Sequence, residues 1–525
     1  MNHELLKYCF QKGLLVDKEV LNLFNDISDV ESVKLIIEKI RNQTQQKIIT
    51  KKIFEKNKEQ VVEIFSELSS DKQKSLEKLR IKLGLSIEIS KESLNQNNAP
   101  ERSENFDSGP LVKVFPQKEP NTEKLEVKNF TSYFRNRFIQ MRGFLQNHSK
   151  LENPLSINKI FGNRQGFSII GIVSSKRITK NKNMILELED LTGKIKVLVN
   201  KEKTELYELA EDIALDSVIG VKGSGNREII FVNEIVFPEA MLFERKKSPY
   251  DENVLFIGDT HFGSKRFLEK NFLKFIDYLN GKVPNTPEVE KIKYLFIAGD
   301  TVTGVGNYPN QEHDLKITDL EEQFVQFADL IGKIRKDIKI IISPGNHDGV
   351  RLMEPQPVFD EKFAWPLHDL KNVIITGNPS YVNIGSKNNF NGFDILTYHG
   401  FSFLYYADNI NSLMKNKAVH KPELIMKYLL KNRHLAPTHS STQYYPGEDA
   451  HLIKNIPDIL VSGHVHKSAV SYYNNILLIS VSTWESMTDY MEKLGSKPDF
   501  CKVPMLNLKT RAVKILDFEG ANAEN

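Results

Sequence analysis

Five short motifs rich in aspartate and histidine constrain the fold most, because each directly follows an apolar run typical of a β-strand. The motifs are Gly258-Asp259-Thr260-His261, Gly299-Asp300, Gly345-Asn346-His347-Asp348, Tyr398-His399-Gly400 and Gly463-His464-Val465-His466. The apolar runs alternate with helical patterns such as LEEQFVQFADLIGKIRK. In open α/β sheets, ligand sites form at the carboxyl ends of strands. We therefore predict an α/β domain over residues 246–525 in which the five motifs meet.

The side-chain types in these motifs predict a site for two divalent ions. Imidazole, carboxylate and amide donors suit Mn²⁺, Fe²⁺ or Zn²⁺, and the motifs contain no cysteine. Two ions that share one carboxylate can activate a water and bind phosphoryl oxygens, and Asp300 is the predicted bridge because it stands alone after its strand. In extended backbone, residues two apart face the same side, as we expect for Asp259 with His261 and for His464 with His466.

Each motif alone has a simpler interpretation. A single Gly-Asn-His-Asp can be a loop with an Asx turn, and a lone His399 can be a structural histidine. The occurrence of all five in order, each at the end of a predicted strand, favours the two-ion site.

The region before this domain reads as a β-barrel preceded by a helix. Residues 167–238 contain short Val- and Ile-rich runs separated by turn signals, which predict a small barrel of oligonucleotide-binding type. The alternative use for such a barrel is protein docking. In the helix before it, Phe134, Phe138 and Met141 share one face. We expect Arg135, Arg137 and Arg142 to lie off that face, in solvent or against phosphate.

The predicted domain order is a helical interaction module at 1–90, a flexible linker at 91–128, a helix plus oligonucleotide-binding (OB) barrel at 129–245, and the α/β domain at 246–525. The linker prediction rests on a polar segment broken by Pro and Gly. Two cysteines exclude a disulfide framework and favour a cytoplasmic location. No apolar run is long enough for a signal peptide or a membrane span, and the net charge of +3 excludes no class of partner.

The five motifs resemble the calcineurin-like metallophosphoesterase superfamily. More narrowly, residues 130–515 resemble the small subunits of archaeal family-D DNA polymerases, through the strings GDTHFGSKRF, GNHDGVRLMEPQP, APTHSSTQYYP, SGHVHKSAV and KVPMLNL. The resemblance implies a multidomain chain with a metallophosphoesterase β-sandwich flanked by helices. It also implies a proofreading 3′→5′ exonuclease in DNA replication.

The resemblance also implies roles for individual residues. One ion would be bound by Asp259, His261, Asp300 and His466, and the other by Asp300, Asn346, His399 and His464. His347 would be the catalytic residue beside the scissile phosphate, oriented by Asp348. Mn²⁺ is the expected ion, ahead of Mg²⁺, Fe²⁺ and Zn²⁺. Thr301 and Thr303 stand where many relatives carry an acidic residue, and we expect this to affect the surroundings of the site only.

The partners implied are a large catalytic polymerase subunit, in a heterodimer, and primer-template DNA, with no membrane. A sliding clamp or a primase is a candidate partner for the N-terminal module. The alternative function is a non-catalytic scaffold that stabilises the large subunit, and the complete set of ligands argues against it. The barrel and the EPQP string disfavour a stand-alone phosphoesterase that acts on phosphoproteins or cyclic nucleotides. A nuclease of double-strand-break repair, which shares the five motifs, fits less well because about 250 residues precede the α/β domain.

Overall fold

The computed structural model describes residues 2–16, 34, 37, 48–49, 112–116, 124–162, 164–488, 491–492, 495 and 497–520. The chain divides into two compact units, 1–106 and 107–525. In the first unit, helix α1 (Asn2–Gln11) precedes the short parallel strands β1 (Leu15–Val16) and β2 (Ile48–Ile49). Most of the predicted helical module at 1–90 lies outside the described residues and stays a prediction.

Within the second unit, five strands form a closed barrel. They are β4 (Arg164–Ile178), β5 (Met184–Glu189), β6 (Lys194–Val199), β7 (Val218–Gly225) and β8 (Ile229–Val236). The strands close in the order β4-β5-β6-β8-β7, and only the β6–β8 pair is parallel. Helix α3 (Thr204–Glu211) connects β6 to β7. Alternate side chains such as Ile195, Val197 and Val199 fill the interior, which confirms the predicted barrel.

Helix α2 (Val127–Leu145) precedes the barrel and packs on it. Phe138, Met141 and Leu145 lie on its buried face, against side chains of β4 and β7. Leu452, which belongs to the α/β domain, joins the same apolar cluster. The helix therefore lies between the barrel and the α/β domain rather than on a free surface.

Our prediction for this helix is wrong at Arg137, which is fully buried instead of solvated. Its Nε donates to the Asp449 carboxylate at 2.6 Å, and its Nη1 donates to the Pro437 carbonyl at 2.6 Å. Burial alone would raise the pKa of the Asp449 carboxyl, but Arg137 and His434 hold it well below its usual range. A buried ion pair thus joins helix α2 to the α/β domain.

Replacing Arg137 by leucine is expected to lower the free energy of unfolding by about 3–5 kcal/mol, because Asp449 would stay buried without its charged partner. Urea denaturation followed by circular dichroism measures the change. Arg135→Leu, on the exposed side of the same helix, is the matched control and is expected within about 0.5 kcal/mol of the unchanged chain. Combining Arg137→Leu with Asp449→Leu is expected to restore part of the loss. Equal stability of Arg137→Leu and Arg135→Leu would contradict this prediction.

The α/β domain contains two six-stranded sheets. The first has the spatial order β12 (Val373–Ile375), β11 (Lys339–Ser343), β10 (Ile292–Ala298), β9 (Asn253–Ile257), β18 (Lys502–Asn507) and β19 (Val513–Asp517). The second has the order β16 (Ala469–Tyr473), β17 (Ile476–Ser480), β15 (Ile459–Ser462), β14 (Phe393–Thr397), β13 (Ser380–Ile384) and β3 (Val112–Val114). Strands β9 to β12 are mutually parallel, as are β14, β15 and β17.

The two sheets pack face to face. Phe256 and Phe296 of the first sheet meet Ile395 and Val461 of the second in one buried cluster. The opposite faces of the sheets are also covered, so the central strands are buried on both sides. This double burial explains why they read as continuous apolar runs rather than as alternating patterns.

Helices cover the two outer faces. Those on the first sheet are α4 (Glu269–Leu279), α5 (Leu320–Ile331) and α6 (Glu361–His368), and those on the second are α7 (Phe403–Asn409), α8 (Asn411–Lys415) and α9 (Pro422–Asn432). Short 3-10 helices occur at Ile157–Lys159, Pro287–Lys291, Gln311–His313 and Ala418–His420. The predicted sandwich with flanking helices is confirmed. Across the described ranges, every helix is too short or too polar to cross a lipid bilayer.

Strand β3 lies inside the stretch 91–128 that we predict as a flexible linker. It pairs antiparallel with β13, with Val114 opposite Val382, and the Phe115 N–H donates to the Tyr381 carbonyl at 3.0 Å. Residues 112–114 are therefore part of the second sheet, and helix α2 already begins at Val127. Residues 91–111 and 117–123 lie outside the described residues, so the domain boundaries stay predictions.

Candidate metal centre

The five motifs lie together at the carboxyl ends of β9, β10, β11, β14 and β15, as the sequence predicts. Their ligand-type side chains form three overlapping groups, within each of which the candidate ligand atoms lie within 4.8 Å of one another. The groups are Asp259 with His261 and His466, His261 with Asp300 and His347, and Asp300 with His399 and His464.

The first cluster contains Asp259, His261 and His466. The Nε2 atoms of the two histidines are 3.1 Å apart, and Nε2 of His466 is 3.6 Å from Oδ1 of Asp259. Burial lowers the pKa of His466 to about 4 and that of His261 well below its usual value, so both rings are neutral. Within the described part of the chain, Nδ1 of His261 is buried without a hydrogen-bond partner. Neutral imidazoles that face each other beside a carboxylate fit a shared cation.

The second cluster contains Asp300, Asn346, His399 and His464. Nε2 of His399 is 3.1 Å from Oδ2 of Asp300 and 3.1 Å from Oδ1 of Asn346. Nδ1 of His399 donates to the Ala298 carbonyl at 3.0 Å, so Nε2 is the atom that would bind a metal ion after losing its proton. Burial disfavours the charged His399 ring, yet the Asp300 carboxylate raises its pKa to about 10. The pKa of His464 is lowered by burial to about 3.

Asp300 joins the two clusters. Its Oδ2 is 3.1 Å from Nε2 of His399 and 3.9 Å from Nε2 of His261, so it contacts a histidine of each cluster. Burial would raise the pKa of this carboxyl, but His399, His347 and His261 hold it well below its usual range. A charged, buried carboxylate between two groups of nitrogen donors has the donor chemistry of a dinuclear centre. The residues present therefore fit two divalent ions.

The backbone at the ligands differs from our prediction. We expected extended backbone at Asp259, His261, His464 and His466, but their φ angles are positive, between 45° and 71°. Asp300 shares this left-handed conformation, with a φ of 47°. Residues other than glycine adopt it rarely, and such strain is concentrated at functional sites. The paired ligands thus face one site because the chain turns sharply at each of them.

Two motif glycines allow the ligands to approach the neighbouring backbone. A Cβ on Gly345 would lie 2.2 Å from Oδ1 of Asp300, and a Cβ on Gly463 would lie 2.6 Å from Oδ2 of Asp259. No side chain fits at either distance, so glycine is required at both positions.

His347 is partly buried at the edge of the centre, and its ring lies 4.9 Å from the ring of His261, centroid to centroid. Its Nδ1 donates to the Thr303 carbonyl at 3.0 Å. The Asp348 carboxylate instead accepts from the backbone of Val302 at 2.8 Å and of Gly345 at 2.7 Å. Asp348 therefore positions two loops. Our prediction that Asp348 orients His347 is wrong, because the Thr303 carbonyl is the group that accepts from the His347 ring. Burial beside Asp300 raises the pKa of Asp348 to about 7.

Sequence reasoning missed the groups that orient the ligands. The carbonyls of Ala298 and Thr303 act through the backbone, so no residue type signals them. The Asn378 side chain accepts from the backbone N–H of His399 at 2.9 Å, but Asn378 lies outside all five motifs. Only its position directly before a strand and a proline marks it in the sequence.

Comparisons with known proteins agree with this geometry. A family model described as calcineurin-like phosphoesterase matches residues 252–468, and one described as OB-fold nucleic acid binding domain matches residues 167–228. The chain is 37% identical to the DNA polymerase II small subunit of Methanothermobacter thermautotrophicus, over 75% of this chain and 80% of the relative. It is also 37% identical to that of Pyrococcus furiosus, over 78% of this chain and 67% of the relative.

A more distant relative gives the same result. The DNA polymerase II small subunit of Halobacterium salinarum is 34% identical, over 75% of each chain. The fold of the α/β domain is that of a metallophosphoesterase, which implies divalent ions at the centre described above. Because the Methanothermobacter relative is 37% identical and is matched over 80% of its length, the chain belongs to the family of DNA polymerase II small subunits.

Proposed function

We propose that this chain is the exonuclease subunit of a DNA polymerase and removes nucleotides from the 3′ ends of DNA during replication. The observation that carries the proposal is the complete donor set, with seven N/O ligands and His347 brought to one edge of the sandwich. The family name identifies a polymerase subunit, and the 3′→5′ direction comes from the resemblance of the motifs to proofreading subunits.

We propose that Asp259, His261 and His466 bind one divalent ion, that Asn346, His399 and His464 bind the other, and that Asp300 contacts both. The donors are imidazole, carboxylate and amide oxygen without thiolate, a set that suits several divalent ions; Mn²⁺ is the proposed ion, with Mg²⁺, Fe²⁺ and Zn²⁺ as the alternatives. Divalent ions at such a centre supply Lewis acidity and lower the pKa of water. Asp348 and the motif glycines hold the loops on which these ligands lie.

His347 is the proposed catalytic residue. Hydrolysis adds water to phosphorus and breaks the P–O3′ bond, so the leaving 3′-oxygen needs a proton. The Thr303 carbonyl accepts from Nδ1 of His347, and Nε2 is therefore free to transfer a proton. The ring is also accessible to a DNA end, because His347 is only partly buried.

The proposed partners are a large catalytic polymerase subunit and primer-template DNA. A nuclease that is tethered to a polymerase meets the primer end at a high effective concentration, without any new contact. Mismatched ends are preferred substrates, because an unpaired nucleotide is the cheapest to move out of the duplex. The OB-fold barrel is a candidate surface for the resulting single strand.

The test is digestion of a 5′-labelled primer with a mismatched 3′ end, in Mn²⁺, in Mg²⁺ and in chelator. Each reaction is run with the chain alone and with a co-expressed large subunit. We expect metal-dependent shortening from the 3′ end, and faster digestion of the mismatched than of the paired primer. A 3′-labelled primer checks the direction, since it should lose its label in the first step.

The alternative, a scaffold without catalysis, predicts a different result. The chain would form a stable complex with the large subunit, yet no reaction would shorten the primer. Such an outcome would overturn the proposed activity.

The close approach at Gly345 gives a further prediction. Gly345→Ala is expected to lower the rate of digestion about 100-fold, because the added Cβ must displace the Asp300 carboxylate. Gly447→Ala is the matched control, since a Cβ at Gly447 meets no atom within 4 Å. Primer digestion under single-turnover conditions measures both variants, and equal rates would show that the site tolerates the added methyl group.

A further inference from the structure

Two segments of the strings that carry the resemblance supply no ligand to the proposed metal centre. They are the Glu-Pro-Gln-Pro segment after the third motif and the segment APTHSSTQYYP at 436–446. The structure brings both to a buried polar network behind the second cluster, where Glu354, Gln356 and Asn378 are each at most 2% exposed. Buried polar side chains are costly unless they are fully hydrogen-bonded, so their partners indicate what the network does.

Asn378 is the centre of this network. Its Oδ1 accepts from the backbone N–H of His399 at 2.9 Å, and its Nδ2 donates to Oε1 of Gln356 at 2.7 Å. The backbones of Asn378 and Gln356 also pair, with N–H···O distances of 2.7 and 3.0 Å in the two directions. Asn378 is therefore held by several hydrogen bonds, and its side chain contacts the main chain of one proposed ligand, His399.

Gln356 reaches the other side of the same cluster. Its Nε2 donates to the carbonyl of Gly345 at 3.1 Å, directly before the proposed ligand Asn346. Oδ1 of Asn346 lies 3.1 Å from Nε2 of His399. The contacts thus form a closed ring that runs from Asn378 to His399, across to Asn346, and back through Gly345 and Gln356.

Glu354 fixes the ring to the rest of the domain. Its Oε2 is 2.6 Å from Nε2 of His451, and its Oε1 is 3.5 Å from Nδ2 of Asn378. The backbone N–H of Glu354 donates to the carbonyl of Gln443 at 2.9 Å, and the backbone N–H of Tyr445 donates to the carbonyl of Glu354 at 2.9 Å. The two segments are therefore joined at Glu354.

We infer that Asn378 and Gln356 are positioning residues that set the separation of His399 and Asn346, and so the geometry of the second cluster. The inference rests on the proposed metal centre. Their hydrogen bonds reach the main chain at His399 and Gly345, whereas those of the first cluster, at Asp259, His261 and His466, come from elsewhere. Loss of either side chain should therefore affect one ion and spare the other.

The experiment is a Mn²⁺ titration of the full chain, followed by calorimetry and by electron paramagnetic resonance. For Asn378→Ala we expect one of the two Mn²⁺ ions to bind about 10–100-fold more weakly, with the other unchanged. Gln356→Ala is expected to weaken the same ion. The ion affected should be the one weakened in His399→Ala, and the signal from two spin-coupled Mn²⁺ ions should decrease at limiting metal.

The matched control is Asn383→Ala. Asn383 is also a buried asparagine and lies in strand β13, but its side chain donates to the Asn391 carbonyl and to the Asp394 carboxylate instead of to a proposed ligand. It reports the effect of deleting a buried amide on stability alone, and we expect both Mn²⁺ affinities to be unchanged. Thermal unfolding measures the loss of stability in Asn378→Ala and in Asn383→Ala, so that their Mn²⁺ affinities are compared at a similar loss.

The outcomes distinguish a failure of the positioning role from a failure of the proposed metal centre. Equal Mn²⁺ affinities in Asn378→Ala and Asn383→Ala, with two ions bound to the unchanged chain, would overturn the positioning role alone. Equal weakening of both ions in Asn378→Ala would also overturn it, because it would indicate a general loss of structure. An unchanged chain that binds fewer than two ions would overturn the proposed centre, and the inference with it.

Discussion

Asp300→Ala is expected to reduce primer digestion by at least about 1,000-fold, since losing a single electrostatic contact at an active site already costs 100–1,000-fold. The reason is its position, 3.1 Å from Nε2 of His399 and 3.9 Å from Nε2 of His261. No other carboxylate of the described residues belongs to both ligand clusters. Metal content is expected to fall from two ions per chain, and mass spectrometry under native conditions measures it.

The fold is expected to survive this substitution, since Asp300 lies in the loop after β10 and not in the apolar core. Circular dichroism should therefore be unchanged. Asp337→Ala, which removes an exposed carboxylate before β11, is the control and should retain both ions and full activity. If Asp300→Ala kept two ions and the original rate, the assignment of the bridge would be wrong.

His347→Ala is expected to slow the chemical step by about 100–10,000-fold, the usual range for loss of a general acid, while both ions stay bound. Its ring is held by the Thr303 carbonyl at the accessible edge of the centre, rather than among the most buried ligands. Single-turnover digestion measures the rate, and the metal content of the purified variant checks that the ligands are intact.

The leaving group provides a sharper control for His347. A p-nitrophenyl ester of thymidine 5′-phosphate releases p-nitrophenolate, which needs no proton. The effect of His347→Ala should therefore be much smaller on this ester than on DNA. Loss of an ion in His347→Ala would instead make this residue a ligand, as its grouping with His261 and Asp300 permits. An equal loss of rate on both substrates would contradict the proton-transfer role.

The clustering of the candidate ligands was predictable because their residue types and their positions point to the same chemistry. Asp259, Asp300, His399 and His464 each follow an apolar run, and the carboxyl ends of such strands meet in α/β folds. The left-handed backbone at Asp259 and His466 was not predictable, because nothing in the local sequence requires it, although Asp and His adopt it more often than most residues other than glycine.

Two sets of buried polar contacts could not be predicted, for different reasons. Arg137 pairs with Asp449, 312 residues further along the chain, and a single sequence does not reveal such a partner. Arg137 does lie one helical turn from Tyr133 and Met141, both of which are buried, but a charged residue between them is normally taken as solvated. Asn378 and Gln356 were missed because amides carry no metal-binding signature away from the motifs.

Strand β3 has a consequence for how the chain avoids aggregation. It covers the edge of the second sheet at β13, whose N–H and C=O groups would otherwise be open to pairing with another chain. The strand is only three residues long and carries a lysine, Lys113, which makes it a poor template for further pairing. Proteolytic loss of the residues before 117 would thus leave the candidate metal ligands in place but expose a hydrogen-bonding edge. A shortened chain would then be prone to self-association before it lost any catalytic group.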